Sequence, residues 1–325
     1  MTGKLYGTLG PACAREDTLR SMFAAGMCGM RLNLSHGTLA DSAPWLETMH
    51  RAAAREGVRP ELIIDLQGPE LRVGALPAPL TLTEGAELTL GQAFPVPPCV
   101  PEHIEDGDTL LLDDGQLALA VLDARRALCR VTRGGVLLPR KSLAIEGREL
   151  PAPALTALDR ENLRLAPRFG VTGMMQPFVR GQDDLIAVRA ALREENAGKL
   201  KIFAKIENQT GLHKLNEIIA SCDVLVIARG DLGNAVPLWE LPRTQEHIAA
   251  ACRAAGRDFM VSTQMLHSMQ RAAVPTRAEV MDVYHAARSG ARCLLLTGET
   301  AAGEHPVEAM RYFAATARCG WEDAK

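Results

Sequence analysis

The feature that most constrains the fold of this chain is a regular alternation of short apolar segments with longer amphipathic ones. One of the amphipathic segments opens with Thr276 and Glu279, the spacing of a capping box at the start of a helix. Strand–helix alternation is typical of a parallel sheet, and eight units favour a closed (β/α)8 barrel, a TIM barrel of the α/β class. The eight predicted strands are KLYGTL, GMRLNL, ELIIDL, GMMQPF, KIFAKI, DVLVIA, DFMVST and RCLLLTG.

One stretch interrupts this alternation after the third strand. Residues 75–150 contain short alternating segments joined by Glu-Gly, Asp-Gly and Gly-Gly turns, a pattern typical of β-hairpins. We therefore predict a small inserted all-β domain at 75–150 and a barrel built from 1–74 and 151–325. Removing the insertion leaves about 250 residues, the usual size of such a barrel.

The composition argues against several classes of protein. The net charge is −3, and a nucleic-acid-binding domain would usually show clustered basic residues instead. No apolar run approaches the roughly 20 residues that span a bilayer, and the first residues lack the apolar core of a signal peptide. The eight cysteines are scattered without a C-x-x-C pair. We therefore expect a cytoplasmic protein with reduced thiols, without nucleic-acid or membrane partners.

Polar side chains follow most of the predicted strands. In barrels of this class, active sites form at the carboxyl ends of the strands. Successive side chains of a strand point to opposite faces, so Lys205 and Glu207 share one face. We therefore predict a single site lined by several strand ends. Its candidate side chains are Arg31, Asn33, Ser35, Asp65, Arg72, Lys205, Glu207, Arg229, Asp231, Thr263, Thr297 and Glu299.

The charges of these side chains indicate the chemistry of the site. Glu207 and Asp231 are hard oxygen ligands that follow adjacent strands, and such ligands suit Mg²⁺ or Mn²⁺. The cationic groups around them fit an anionic substrate that carries a phosphate or a carboxylate. Gly230, beside Asp231, would let the backbone approach that substrate closely.

Structural interpretations of the same residues remain open at this point. Glu207 and Asp231 would also fit as ion-pair partners of Lys205 and Arg229. Asn33 and Ser35 would also fit as turn residues that cap the following helix. The sequence pattern alone does not choose between these interpretations and a binding site.

The sequence resembles the pyruvate kinase family over nearly its whole length. The resemblance implies the barrel with an inserted β domain, and it implies transfer of phosphate from phosphoenolpyruvate to ADP, giving pyruvate and ATP. It also implies Mg²⁺ or Mn²⁺ as the cofactor. The stretches that carry it, in order, are TLGPAC, MRLNLSHGT, DLQGPELRVG, LLLDDGQLALAV, KIENQTG, VIARGDLG, STQMLHSM, PTRAEVMDV and TGETAAGEHPVEAM.

The resemblance also implies roles for individual residues. Lys205 matches the lysine beside the transferred phosphoryl group, and Glu207 and Asp231 match the ligands of the divalent metal. Arg31 matches a phosphate-contacting arginine. The substrate site would be lined by Arg31, Ala228, Arg229, Gly230, Asp231 and Thr263, with Thr297 and Glu299 supporting the proton delivered to enolpyruvate. The nucleotide site would include Thr8, Pro11, His36, Arg72 and Lys141, and a monovalent-cation site would include Asn33, Ser35, Asp65 and the carbonyl of Leu66.

The chain departs from the family at the cation site. Leu66 and Gln67 stand where the family usually has threonine and lysine. Together with Val73, they resemble members that do not require K⁺, although those members usually carry lysine where this chain has Glu70. We predict that K⁺ is not required.

Two further expectations concern organisation. We expect the inserted domain to be a mobile lid, joined to the barrel by linkers near 74–79 and 150–153. Because the chain ends at Lys325, we expect no C-terminal regulatory domain, no activation by sugar phosphates, and at most a homodimer through the late barrel helices. Alternative functions are another metal-dependent reaction of pyruvate enolates, aldol cleavage or decarboxylation, and a non-catalytic ligand-binding role.

Overall fold

The computed structural model describes residues 3–35, 37–113, 115–147 and 152–324. The chain divides into two compact units, one made of Met1–Gly68 with Ala154–Lys325 and the other of Pro69–Pro153. The strands within the described residues, in chain order, are β1 Lys4–Thr8, β2 Gly29–Asn33, β3 Glu61–Asp65, β4 Leu71–Arg72, β5 Leu80–Leu82, β6 Glu87–Thr89, β7 Thr109–Leu112, β8 Leu117–Asp123, β9 Leu128–Arg133, β10 Gly135–Leu137, β11 Ser142–Ile145, β12 Gly173–Gln176, β13 Lys201–Ile206, β14 Val224–Ala228, β15 Phe259–Ser262 and β16 Cys293–Leu295.

Helices separate the strands of the first unit, and one short helix at Cys99–His103 lies in the second. Those within the described residues are α1 Glu16–Ala24, α2 Ala43–Arg55, α3 Cys99–His103, α4 Ala157–Leu165, α5 Gln182–Glu194, α6 Gln209–His213, α7 Leu215–Ser221, α8 Arg229–Ala235, α9 Leu241–Ala254, α10 Arg277–Arg288, α11 Gly298–Ala301 and α12 Pro306–Asp323. None of them combines the length and the hydropathy that a membrane-spanning helix needs.

The first unit is a closed eight-stranded parallel barrel, as predicted. The strand order is β1-β16-β15-β14-β13-β12-β3-β2, and each of the eight predicted apolar segments supplies one strand. The predicted capping box is confirmed, because the Thr276 and Glu279 side chains bond each other's backbone N–H groups at the start of α10. Helix α8 begins at Arg229, directly after β14, and a 3-10 turn at Leu238–Glu240 leads into α9, which begins at Leu241.

Alternation along the strands builds two apolar layers. On β13, Ile202, Ala204 and Ile206 pack in the large core that includes residues of the surrounding helices. Phe203 packs instead in a second cluster made of buried strand residues such as Tyr6. Because side chains two residues apart share a face, Lys205 points to the same side as Phe203, which is the interior of the barrel.

The second unit consists mainly of antiparallel strands. Six strands pair in the order β4-β11-β7-β8-β9-β6, and β10 pairs with β5. This unit begins at Pro69 rather than at residue 75, because Leu71 and Arg72 pair with Leu143 and Ser142 of β11. Of the second predicted linker, 150–153, residues 150 and 151 lie outside the described part of the chain.

Candidate active site

Four charged side chains form a buried network at the carboxyl ends of the barrel strands. Arg31 donates to Asp65 Oδ2 through Nε at 2.8 Å, and its Nη2 lies 2.7 Å from the same oxygen. Lys205 Nζ lies 3.3 Å from Asp65 Oδ2 and 3.0 Å from Glu207 Oε1. The strands β2, β3 and β13 supply Arg31, Asp65 and Lys205, and Glu207 follows β13 directly. The predicted convergence of these residues is therefore present in the barrel unit.

Charge pairing decides the protonation of two members of this network. Burial by itself would raise the pKa of Asp65, but the adjacent Lys205 and Arg31 outweigh that effect and hold the pKa below its usual value. Burial would lower the pKa of Lys205, but Asp65 and Glu207 outweigh it and raise that pKa above its usual value. Asp65 is therefore a carboxylate shared by two cations, and Lys205 keeps its positive charge at neutral pH.

Among the charged side chains of the network, the Glu207 carboxylate is the one most easily neutralised, by gaining a proton. Burial, together with repulsion from Asp231 and Asp65, raises the pKa of Glu207 to about 8 despite the attraction of Lys205. Its Oε2 accepts a hydrogen bond from the Phe178 backbone N–H at 2.8 Å. Its Oε1 is buried and accepts no hydrogen bond within the described residues, although Lys205 Nζ is close. A buried carboxylate oxygen with an unused lone pair is suited to a cation.

Asp231 reaches this region from the first turn of helix α8. Its charge adds to the raised pKa of Glu207, and the strands that precede the two carboxylates, β13 and β14, pair side by side. Mg²⁺ is usually held by one or two carboxylates, with waters and substrate oxygens completing its shell. Glu207 and Asp231 fit that pattern. The described part of the chain holds no group of three or more His, Cys, Asp or Glu residues arranged for a metal.

Arg229 has a different partner from the one that the structural interpretation suggested. Its Nη1 donates to Asp282 Oδ1 at 2.7 Å, and its Nη2 donates to the Thr263 carbonyl at 2.8 Å. Arg229 therefore binds the backbone carbonyl of Thr263 and the side chain of Asp282 on α10, rather than pairing with Asp231. Ala228 ends β14 and is buried, and the Gly230 N–H donates to Thr263 Oγ1 at 2.8 Å.

Gly230 is free of steric constraint from its own chain. A Cβ added there would meet Thr263 Oγ1 at 3.7 Å, which is ordinary van der Waals contact. The conformation of Gly230 also lies outside the left-handed region that favours glycine. Nothing in the described packing therefore requires glycine at this position, and its predicted role in admitting a ligand stays a prediction.

Thr297, Glu299 and Thr8 lie at the ends of β16 and β1. Glu299 is buried and accepts hydrogen bonds from the backbone N–H groups of Leu266 and Thr297 at 3.1 and 2.8 Å. Thr297 Oγ1 lies 3.3 Å from the same carboxylate. Thr8 Oγ1 donates to the Leu296 carbonyl and also lies 3.4 Å from Arg31 Nη1. Thr8 thus touches the charged network through Arg31, and the predicted roles of Thr8, Thr297 and Glu299 stay predictions.

The residues predicted for a monovalent cation and for the nucleotide remain untested. Asn33 Oδ1 accepts a hydrogen bond from the Ser35 N–H at 3.2 Å, a turn contact, and Leu66 is buried after β3. Pro11 is exposed in a turn after β1, and His36 lies outside the described residues.

The two nucleotide-site candidates of the inserted unit have partners within that unit. Arg72 lies 2.8 Å from Glu70 and donates to the Arg140 carbonyl. Lys141 lies 2.7 Å from Asp113. Their predicted nucleotide contacts therefore stay predictions.

Sequence reasoning missed two residues that hold the site in place. Asp282 anchors Arg229, and Asp159 accepts hydrogen bonds from the N–H groups of Gln67 and Gly68 at 2.9 and 3.0 Å, just after β3. Asp159 had a local signal, because Thr156 and Asp159 have the spacing of a capping box. Asp282 had none, since it reads as an ordinary polar position of an amphipathic helix.

The raised pKa of Glu207 predicts how stability depends on pH without metal. A folded pKa of about 8 against an unfolded value of 4.5 stabilises the fold when Glu207 is protonated. That contribution is complete below 4.5 and is lost as pH rises towards 8. We expect Glu207→Gln to unfold near the wild-type temperature at pH 5 and above it at pH 8, measured by thermal melts in chelator. Exposed Glu217→Gln serves as the control, and an equal change in both variants would contradict this assignment.

The comparisons with known proteins point to one family. The family model for the barrel domain of pyruvate kinase matches residues 2–310. The chain is 37% identical to the pyruvate kinase of Aeropyrum pernix, covering 96% of this chain and 69% of the relative. It is 35% identical to that of Geobacillus stearothermophilus, covering 95% and 55% respectively. With the pyruvate kinase of Thermococcus litoralis the identity is 34%, covering 97% and 69%. The chain thus spans only part of these curated relatives.

Proposed function

Because this chain belongs to the pyruvate kinase family, we propose that it transfers the phosphoryl group of phosphoenolpyruvate to ADP, giving pyruvate and ATP. The observation that carries the proposal is the position of Lys205. Its charged Nζ sits between Asp65 and Glu207 inside the barrel, beside the carboxylates that suit a divalent metal. Phosphoryl transfer spreads negative charge over the equatorial oxygens, and fixed positive charge stabilises it.

Each neighbouring group has a role in the proposed reaction. Lys205 would contact the transferred phosphoryl group, and Arg31, oriented by Asp65, would hold the phosphate of phosphoenolpyruvate. Mg²⁺ or Mn²⁺ on Glu207 and Asp231 would neutralise further phosphate charge and polarise the substrate. When the phosphorus–oxygen bond breaks, enolpyruvate must gain a proton at carbon, and we assign support of that proton to Thr297 and Glu299.

The remaining parts of the proposal follow from family membership. Ala228, Arg229, Gly230 and Thr263 would line the phosphoenolpyruvate site, and Thr8, Pro11, His36, Arg72 and Lys141 would contact the nucleotide. Location in the cytoplasm and a homodimer through the late barrel helices are further predictions. Glycolytic flux towards pyruvate is the physiological role that this activity would serve.

A coupled assay for pyruvate tests the proposal directly. Purified protein is supplied with phosphoenolpyruvate and Mg²⁺, with and without ADP, and both pyruvate and ATP are measured. We expect equal amounts of the two products, and only when ADP is present. Pyruvate formed without ADP would point to other enolate chemistry. Binding of phosphoenolpyruvate without turnover, seen by calorimetry, would point to a ligand-binding role.

The charge around Asp65 leads to a prediction about K⁺. Arg31 and Lys205 already share the Asp65 carboxylate, so a third cation there gains little attraction and meets two like charges. We expect the rate in K⁺-free, Na⁺-free buffer to lie within tenfold of the rate with K⁺. Tetramethylammonium chloride at equal ionic strength is the control. Stimulation above tenfold by K⁺, absent with tetramethylammonium, would show that the site of Asn33, Ser35, Asp65 and Leu66 is used.

A further inference from the structure

We propose that Asp282 of α10 is a positioning residue that fixes helix α8, and with it Asp231, through Arg229 and Thr263. This inference rests on the proposed function, since it concerns how the metal and substrate site of that reaction is held. Asp282 is not assigned to substrate, metal or nucleotide. It acts through a chain of hydrogen bonds whose members are all in the barrel unit.

The first link is the ion pair between Asp282 and Arg229. Arg229 Nη1 donates to Asp282 Oδ1 at 2.7 Å, and only 11% of the arginine side chain is exposed against 32% for Asp282. A guanidinium removed from water in this way needs a compensating charge. Asp282 supplies that charge, which leaves Asp231 unpaired with Arg229 although it is only two positions away in the sequence.

The second link joins Arg229 to the end of β15. Its Nε and Nη2 donate to the carbonyl of Thr263 at 3.3 and 2.8 Å, and its Nη2 also contacts Met265 Sδ at 3.0 Å. Thr263 has a φ of 68°, in the left-handed region that a β-branched residue rarely adopts. Such a conformation persists only where surrounding contacts enforce it, and the two bonds from Arg229 are such contacts.

The third link returns from Thr263 to α8. Thr263 Oγ1 donates to the Ser262 carbonyl at 2.6 Å and accepts a hydrogen bond from the Gly230 N–H at 2.8 Å. Gly230 immediately precedes Asp231 in the first turn of α8. The position of the Asp231 carboxylate therefore depends on Thr263, which depends on Arg229, which depends on Asp282.

The predicted consequence is a loss of site geometry when the charge of Asp282 is removed. Residues that do not bind a metal themselves but orient its ligands typically contribute 10- to 100-fold to metal affinity or activity. Asp282→Asn keeps the size of the side chain but leaves the buried Arg229 without a countercharge. We expect about a tenfold weaker Mn²⁺ affinity and about a tenfold higher KM for phosphoenolpyruvate, with the KM for ADP changed less than twofold.

The experiment combines three measurements on the full chain. Mn²⁺ binding is followed by electron paramagnetic resonance, KM values by the coupled assay, and amide exchange of residues 229–235 by mass spectrometry. Asp223→Asn is the matched control, since Asp223 also lies near an arginine, Arg189 at 3.2 Å, and its side chain is 38% exposed. Asp223 directly precedes β14, at the amino end of the barrel. Asp282→Glu, which keeps the charge, should recover part of the loss.

The outcomes separate this inference from the proposed function. Faster exchange across 229–235 with weaker Mn²⁺ binding in Asp282→Asn, but not in Asp223→Asn, would support the inference. Unchanged exchange, or equal changes in the two variants, would overturn it even in an active enzyme. A wild-type protein that makes no pyruvate would refute the proposed function, while amide exchange would still decide whether Asp282 holds α8.

Discussion

Replacing Lys205 with methionine should lower the rate of pyruvate formation by about 10²–10³-fold or more, because loss of one preorganised contact to developing charge commonly has that effect. Methionine has a similar length and flexibility, so the variant removes the charge of Lys205 rather than its volume. Arg31 still pairs with Asp65 in the variant, and Glu207, whose pKa is already about 8, can remain protonated. We therefore expect the fold to survive, as judged by circular dichroism and thermal melts.

Lys201→Met is the matched control for this experiment. Lys201 begins the same strand, β13, at the amino end of the barrel, and its side chain is exposed. It should retain nearly the wild-type rate. A Lys205→Met protein that forms pyruvate at close to the wild-type rate would remove Lys205 from the proposed mechanism, whatever the control shows.

Changing the two carboxylates proposed to bind the metal should have the second largest effect. We expect Glu207→Gln and Asp231→Asn each to raise the Mg²⁺ concentration needed for half-maximal rate by about 10²-fold. Even residues that only hydrogen-bond to metal ligands typically contribute 10- to 100-fold to metal affinity or activity. An amide oxygen keeps the shape of each side chain but loses the negative charge that a hard divalent cation prefers. The measurement is a Mg²⁺ titration of the initial rate at saturating substrates.

Stability distinguishes loss of metal from loss of fold in these variants. Glu207→Gln should not lower the thermal stability of the metal-free protein at pH 8, because burial already makes the ionised Glu207 carboxylate unfavourable at that pH. The exposed Glu217→Gln on α7 should leave the Mg²⁺ titration unchanged. If the Mg²⁺ dependence of Glu207→Gln matches that of the wild type, Glu207 is not a metal ligand. Direct Mn²⁺ binding by the two variants provides a readout that does not depend on turnover.

Both the barrel and the shared face of Lys205 and Glu207 follow from local patterns in the sequence. A strand of a closed parallel barrel is buried on both faces, so each of the eight strands is a short, nearly continuous apolar run in the sequence. The period of two places Lys205 and Glu207 on one face of β13, but only the packing of Phe203 in the structure shows that this face lies inside the barrel. The start of a helix could likewise be predicted where the sequence contains a capping box, as at Thr276 and Glu279.

The partners of the charged side chains were decided only by the tertiary structure. Arg229 lies two residues from Asp231 but pairs with Asp282, which is 53 positions away. Lys205 and Asp65 are separated by 140 positions, and their contact depends on how the barrel closes. A sequence pattern reports which face of an element is apolar, because that preference acts within a few residues. An ion pair depends instead on the distance and direction between two elements, and packing of the whole barrel sets both.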